Sequence, residues 1–463
     1  MYKLNYFNFR EKENEYLITN DMGKYAFITK ENFQKIINKE DIEENLKQEL
    51  LEKGFIYDTN EEIFATDMAM KLRRQKEYLL EPTTLHIFVV SKNCNFNCVY
   101  CQAGMLDEQN DYKMTKETAK NAVDIAISSP SKFLTFEFQG GEPLTNFEII
   151  KYIIEYSKSI ANGKCIEYNL VSNLTLLTDE MIEFFKDNNV SICTSIDGDE
   201  KLQNKNRPYK NKNSYQETVS KIKKIKENGI TVSAIQTTTK YSLKKYKEIV
   251  DEYVNLGLAS IFIRPLTKLG KADNNWVNIG YEAEEFLEFY KKSLDYIIEK
   301  NKQGVFLTEG HSNIFLKKIL LNSPVNYMEL RSPCGGAIGQ LAYYHDGNIY
   351  TCDEARMLSE MGDESFKLGN VYKNTYKDLM QCDVCKAMCI SSCIECLPYC
   401  KDCIYMPYCG TCPVINLAQD NNIFARNPKE YRCKIYGGIL DILFEYIKDE
   451  EVLRIFYKWI KEE

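Results

Sequence analysis

Six short apolar runs, separated by helical patterns, set what this chain can fold into. They are "LHIFVV" (85–90), "FLTFEF" (133–138), "IEYNLVS" (166–172), "VSICTSI" (190–196), "TVSAIQT" (231–237) and "SIFIRPL" (260–266). Each has the length and β-branched or aromatic content of a strand. Segments such as "TKETAKNAVDIAISS" and "SYQETVSKIKKIKENG" fall between them with helical spacing. Strand–helix alternation over about residues 83–270 predicts an α/β fold with a parallel sheet, open or barrel-like. In barrels of this kind, chemistry sits at the C-terminal ends of the strands.

The 463 residues exceed one core and imply two to four domains. Near the N-terminus, "NEYLITND" and "KYAFIT" read as strands around Asp21-Met22-Gly23. Two helical stripes follow, Phe33/Ile36/Ile37 and Ile42/Leu46/Leu50, closed by Gly54. This order suggests a winged-helix-like unit. Residues 276–330 read as a polar helical bridge, and "GGILDILFEYIKDEEVLRIFYKWIKEE" as an amphipathic helix pair. No run of eighteen apolar residues occurs, and the first residues lack a basic flank with an apolar run. A cytoplasmic protein without a membrane partner is expected. The net charge of -8 disfavours bulk attraction to nucleic acid.

Cysteine is the unusual component. There are 17, five before residue 331 and twelve after it, against three histidines. A disulfide framework is not expected in such a chain, whereas thiolate-rich zinc or iron–sulfur sites are. Directly after the first strand stands "SKNCNFNCVYCQAG", with Cys94, Cys98 and Cys101 spaced C-x3-C-x2-C. A zinc site with a distant fourth ligand is one reading. A [4Fe–4S] cluster with one open iron is the other. Cys165 and Cys193, inside strand runs, read as small buried hydrophobes. "FQGGEP" follows the second strand, "VSN" ends the third and "TSIDG" ends the fourth.

The triplet after a first strand, an aromatic before its last cysteine, and Gly140-Gly141-Glu142-Pro143 after the second strand together resemble the radical S-adenosylmethionine (SAM) enzymes. The resemblance implies a partial (β/α)6 barrel whose three thiolates leave one iron for SAM. In that family reductive cleavage of SAM yields a 5′-deoxyadenosyl radical that removes a hydrogen atom from substrate. Gly140 and Gly141 would let the backbone approach SAM, and Glu142 would take its ammonium. Asn173, Ser195 and Asp197 resemble positions holding the methionyl and ribose parts. Arg207 in "NKNRP" resembles the partner of the SAM carboxylate, and Tyr100 a residue beside the adenine.

A second resemblance lies in the C-terminal region. Cys334, Gly347 and Cys352, then "CKDCIYMPYCGTC" and Cys433, resemble the SPASM extension, which carries two auxiliary [4Fe–4S] clusters. By resemblance, Cys400, Cys403, Cys409 and Cys433 hold the outer cluster and Cys334, Cys352 and Cys412 the inner. The last gap of "CKDCIYMPYCGTC" is one residue shorter than the family pattern. The inner site's fourth ligand would be Cys393 or Cys396, or the site would be open. Cys382, Cys385, Cys389, Cys393 and Cys396 are spaced as one helix face, read first as a buried stripe of small hydrophobes. Asp353, directly after Cys352, resembles a proposed catalytic base of the sulfatase-maturing branch; a turn acid is the alternative, with Glu354 and Arg356 pairing locally.

Over nearly its whole length the chain resembles maturases found beside His-Xaa-Ser repeat peptides, through "LITNDMGKYAFI", "RSPCGGAIGQLAYYHDGNIYTCDEARML" and "SSCIECLPYCKDCIYMPYCGTCPV". The expected organisation is a peptide-docking unit (1–80), a barrel (81–275), a helical bridge (276–330) and a SPASM domain with terminal helices (331–463). A precursor peptide and a flavodoxin- or ferredoxin-type electron donor are the partners implied. The alternatives are a sulfatase-type maturase, or a non-enzymatic zinc or iron–sulfur binding module.

Overall fold

All six apolar runs are strands of one sheet. The computed structural model of the protein describes residues 2–103, 112–425 and 430–461. The strands of the barrel are β6 (Leu85–Ser91), β7 (Phe133–Gly140), β8 (Cys165–Val171), β9 (Val190–Ser195), β10 (Val232–Thr237) and β11 (Ser260–Arg264). They lie side by side in chain order, and every pair is parallel. A short β12 (Thr308–Glu309) from the bridge region extends the sheet beyond β11. At the other edge, β13 (Gln340–Tyr343) pairs parallel to β6. Strands β14 (Asn348–Tyr350) and β15 (Lys367–Asn370) continue it antiparallel, giving ten strands. The cysteine-rich region is therefore hydrogen-bonded into the barrel sheet.

Alternation within the strands assigns two faces. Phe136 and Phe138 of β7 are fully buried in the same core as Ile150, Ile153 and Ile154 of the helix Phe147–Ile160. Glu137 and Gln139 point the other way, into the barrel interior. The helix Lys116–Ile127 starts at Thr115, whose hydroxyl accepts from the Thr118 amide, and it buries Ala119, Ala122 and Ala126. His86, at the junction of β6 and β13, shares a 2.9 Å hydrogen bond with the Tyr343 hydroxyl. Burial pushes its pKa down to about 3.

The N-terminal unit contains β1 (Lys3–Leu4) paired with β5 (Ile56–Tyr57), and a three-stranded antiparallel sheet of β2 (Asn8–Glu11), β3 (Glu15–Thr19) and β4 (Tyr25–Thr29). The two expected helices are Lys30–Asn38 and Glu44–Glu52. Phe33, Ile36 and Leu50 are buried, but Ile37 is exposed, one step off the buried stripe. A further helix, Glu61–Gln75, has no buried residue and so no apolar periodicity to read. The unit packs on the C-terminal region. Asn8 donates to the Cys403 carbonyl at 3.1 Å, Thr19 to the Ile404 carbonyl at 2.7 Å, and Tyr408 to the Gly23 carbonyl at 3.1 Å.

The bridge forms the helices Ala283–Lys302 and Gly310–Leu321, and the chain ends in Tyr431–Tyr446 and Glu450–Lys461. The cysteine stripe is not one helix face. The helix Asp383–Ser392 carries only Cys385 and Cys389, with Cys382 as its N-cap, and stops before Cys393. Among the described residues no helix is long and apolar enough to cross a membrane.

The site is positioned by one backbone contact. The turn after β7 lies against the segment after β6. The Gly141 amide donates to the Ser91 carbonyl and the Glu142 amide to the Asn93 carbonyl, both at 2.8 Å. A Cβ on Gly140 would lie 2.1 Å from the Ser91 oxygen; one on Gly141 would lie 2.3 Å from the Lys92 oxygen and 2.6 Å from that of Asn93. These glycines serve close packing of backbone on backbone, a requirement that stands beside the approach to SAM expected from sequence. Gly141→Ala must displace main chain and is expected to cost about 1–3 kcal/mol. Gly437→Ala, on a helix with nothing within 4 Å of the added carbon, is expected to be neutral or stabilising by about 0.5–1 kcal/mol. Thermal melts of both variants check the contrast.

Candidate active site

The C-terminal ends of the barrel strands surround a cavity of about 470 Å3. Cys94, Cys98 and Cys101 all line it, with Gly140, Gly141, Ser172, Asn173, Ser195, Thr237 and Arg264 from successive strand ends. Its far wall comes from the cysteine-rich region and the segment before it, with Glu329, Asp353, Glu354 and Met357. One space thus joins the cysteine triplet to the helix that follows Cys352.

The triplet loop is held on two sides. The Asn97 amide donates to the Pro208 carbonyl and the Val99 amide to the Asn206 carbonyl, both at 2.9 Å, and the rings of Phe96 and Tyr209 meet at 4.9 Å. The Cys94 sulfur accepts from the Phe96 amide at 3.4 Å and from Asn173 Nδ2 at 3.9 Å. Asn173 also donates to Asn95 Oδ1 at 2.8 Å and accepts from Thr175. Ser195 ends β9 at the cavity, and its carbonyl accepts from Gln203.

Glu142 does not line the cavity. Its carboxylate is fully buried and accepts from Ser172 Oγ at 2.7 Å, the Asn173 amide at 2.8 Å and the Leu144 amide at 3.0 Å. In this structure it ties the turn after β7 to the end of β8. Tyr100 is buried, and its hydroxyl donates to Asp197 Oδ2 at 2.8 Å while accepting from Arg207 Nη1 at 2.9 Å. Asp197 also accepts from Asn206 and from the Thr237 amide. Arg207 lines the cavity with its Nε buried and without a partner. That orphaned donor beside the triplet fits an anionic group such as the SAM carboxylate.

Burial raises the Cys94 thiol above its ordinary range, with Cys98 adding to it, and lifts Cys98 to about 11 against the pull of Arg207. Such thiols are poor nucleophiles, but a coordinated metal deprotonates them outright. Among the described residues no three histidine, cysteine, aspartate or glutamate side chains gather around a single metal ion. The three thiols instead border a wider space, as a cluster needs. Cys165 is exposed at the first position of β8, and Cys193 lines the cavity; neither is the fully buried hydrophobe expected from sequence.

Seven of the twelve C-terminal thiols fall into two groups. Cys400, Cys403, Cys409 and Cys433 line one small cavity of about 80 Å3. Cys334, Cys352 and Cys412 are buried in one cluster, where burial raises each and Cys412 raises both Cys334 and Cys352. Cys412 thus joins the inner group despite the shortened gap. The Cys393 sulfur is 3.4 Å from Glu395 Oε2 and 4.0 Å from that of Cys396, and the neighbouring Ser392 hydroxyl accepts from the Cys334 amide at 3.0 Å.

Asp353 lines the cavity but is paired with the buried Arg356, accepting from its Nε at 3.2 Å and from its Nη2. The local pair is therefore Asp353–Arg356, not Glu354–Arg356. Sequence reading missed Glu137, Arg264 and Glu329 as cavity residues. For Glu137 a signal existed, since a glutamate between Phe136 and Phe138 marks the opposite face of a buried strand.

Residues 88–252 match the family model of the radical SAM superfamily. The radical SAM cyclopropyl synthase TigE of Paramaledivibacter caminithermalis is 26% identical over 73% of this chain and 69% of its own. The serine-type anaerobic sulfatase-maturating enzyme of Bacteroides thetaiotaomicron is 24% identical over 77% of this chain and 88% of its own. Among solved structures, native anSMEcpe with bound AdoMet aligns with a TM-score of 0.67 at 20% identity, covering 81% of this chain and all of that one. Streptococcus suis SuiB bound to precursor peptide SuiA aligns with a TM-score of 0.55 at 14% identity, covering 92% and 99%. These two show the fold. Residues 88–252 are a radical SAM domain, and the protein is an enzyme whose cofactors are [4Fe–4S] iron–sulfur and S-adenosylmethionine.

Proposed function

We propose that the enzyme removes a hydrogen atom from a ribosomally made precursor peptide, leaving a crosslinked or oxidised residue. One observation carries this reading. A single cavity is lined both by the Cys94–Cys98–Cys101 loop and by Asp353 and Glu354 beside the inner thiols, so a substrate there meets both ends. The cluster on Cys94, Cys98 and Cys101 would supply the electron that cleaves SAM to a 5′-deoxyadenosyl radical. Asn173, Ser195 and Arg207 would hold SAM. Gly140, Gly141 and Glu142 would fix the turn beneath it, and Tyr100 with Asp197 would orient Arg207. Cys400, Cys403, Cys409 and Cys433 would hold one auxiliary cluster, and Cys334, Cys352 and Cys412 another with an open position. Asp353 would accept a substrate proton, with Arg356 fixing its carboxylate.

The N-terminal unit would take the leader of the peptide as an added strand, in the manner of a winged-helix docking module. SuiB, bound to its own precursor, aligns over 92% of the chain, which supports this role. Peptides with His-Xaa-Ser repeats are the substrate class that the sequence resemblance favours. A flavodoxin- or ferredoxin-type protein in the cytoplasm would supply electrons. The sulfatase-maturating relatives, with Asp353 at the cavity, favour a second reading in which a folding protein is the substrate. A short leader-bearing peptide encoded nearby favours the first, and a sulfatase neighbour the second.

Anaerobically reconstituted protein is expected to carry about twelve irons per chain and to form 5′-deoxyadenosine from SAM with dithionite. Zinc in place of iron, or no deoxyadenosine, overturns the proposal. Replacing Cys94, Cys98 and Cys101 together by alanine should abolish SAM cleavage and leave roughly two-thirds of the iron. Asp353→Asn should lower peptide product per deoxyadenosine formed by about 10²-fold or more, measured by mass spectrometry and chromatography on the same samples.

A further inference from the structure

The charges around the cavity do not all pair. Asp353 is held by Arg356, and Glu329 by Arg432 at 3.2 Å. Arg207 faces Tyr100 and Asp197, so among the described residues the cavity cation left is Arg264, whose surroundings include Glu329, Glu354 and the hydroxyls of Tyr327 and Tyr436. Two carboxylates, Glu354 and Glu137, are left to share that guanidinium. Glu354 lies on the side of Arg264 and Glu329, and both act on it. Glu137 enters from β7, three residues before the strand ends at Gly140. That places it about 10 Å below the rim where the triplet sits.

Among the described residues Glu137 makes no ion pair. Its one side-chain hydrogen bond comes from Gln139 Nε2, two residues along the same strand. Burial raises its carboxyl above the ordinary range; Asp353 and Glu354 add to this, while Gln139 and Arg264 oppose it. A half-buried carboxylate without an ion pair is costly to keep charged unless something of opposite charge meets it. Nothing structural calls for one here. Phe136 and Phe138 anchor β7 from its other face.

We propose that Glu137 is a substrate subsite for a cationic group, the ammonium or guanidinium of a lysine or arginine side chain in the peptide. This rests on the reading that a peptide enters the cavity. The cation would sit between Glu137 and Glu354 and balance the surplus charge. Arg264 on the far side would disfavour its going deeper. A neighbouring peptide residue would then lie toward the triplet, where hydrogen abstraction takes place.

Equilibrium binding tests this without turnover. Anaerobic holoenzyme with SAM is titrated with short alanine–serine peptides carrying a central lysine or norleucine, similar in shape but different in charge. The lysine peptide is expected to bind about tenfold more tightly, near 1.4 kcal/mol. Glu137→Gln should erase that preference, and Glu137→Asp should keep part of it. Equal binding of the two peptides to the unaltered enzyme overturns the proposal. So does a lysine preference that survives in Glu137→Gln. If that variant does not fold, the comparison on the unaltered enzyme still decides. Failure to form deoxyadenosine would count against the reaction proposed above and leave this result standing.

Discussion

Two amide-to-carbonyl hydrogen bonds, Gly141 to Ser91 and Glu142 to Asn93, fix the relation between the ends of β6 and β7. The other features of the site build on them. The contact uses main chain on both sides, so its geometry is set by covalent structure and by the lack of side chains at Gly140 and Gly141. The cysteine loop begins immediately after the Ser91–Asn93 segment. Glu142, placed by the same turn, reaches Ser172 and the Asn173 amide, and Asn173 reaches the Cys94 sulfur. A chain of short-range contacts thus carries the β6–β7 register to the first thiol. Its carboxylate makes three hydrogen bonds, which offset the cost of complete burial.

Electrostatics around the triplet favour assembly over reactivity. Burial raises Cys94 and Cys98, while Arg207 pulls Cys98 back. A metal centre held by thiols raised in this way would displace their protons, so its loading would be pH-dependent. Arg207 is also bound to Tyr100, and Tyr100 to Asp197, which holds the guanidinium while leaving its Nε open. The same residues that act on the Cys98 thiol therefore hold the Arg207 guanidinium in place.

The barrel was legible because its strands are short, apolar and regularly spaced. Observed limits differ from the sequence reading by at most two residues, as in β7, which runs two residues past Phe138. Burial on one face of each strand makes such limits local. The helix Glu61–Gln75 was not legible, since it buries nothing. Strands β13 and β14 lie outside the sequence reading, although Asp346-Gly347 stands between them, a dipeptide suited to a hairpin turn. The stripe from Cys382 to Cys396 has helical spacing, but spacing does not say where a helix stops. Likewise, a motif names Glu142 without showing that its oxygens are already occupied. Glu137, Arg264 and Glu329 come from three distant segments, and only the closed fold brings them together.

The pairing of β13 with β6 changes what the cysteine-rich region can do. Cys334 precedes β13 by six residues and Cys352 follows β14 by two. Both are therefore tied closely to the sheet that carries the triplet loop. The N-terminal unit is anchored in turn at the Cys403 and Ile404 carbonyls, beside the outer thiols. The N-terminal unit, the outer thiols, the inner thiols and the barrel are thus linked through side-chain-to-carbonyl and sheet hydrogen bonds. On the proposed function, a peptide held at one end would meet the cavity at a fixed reach, and position along the peptide would select the residue modified. Such selection would need rigid spacing more than tight recognition of the target residue, and the parallel β6–β13 pairing would contribute to that spacing.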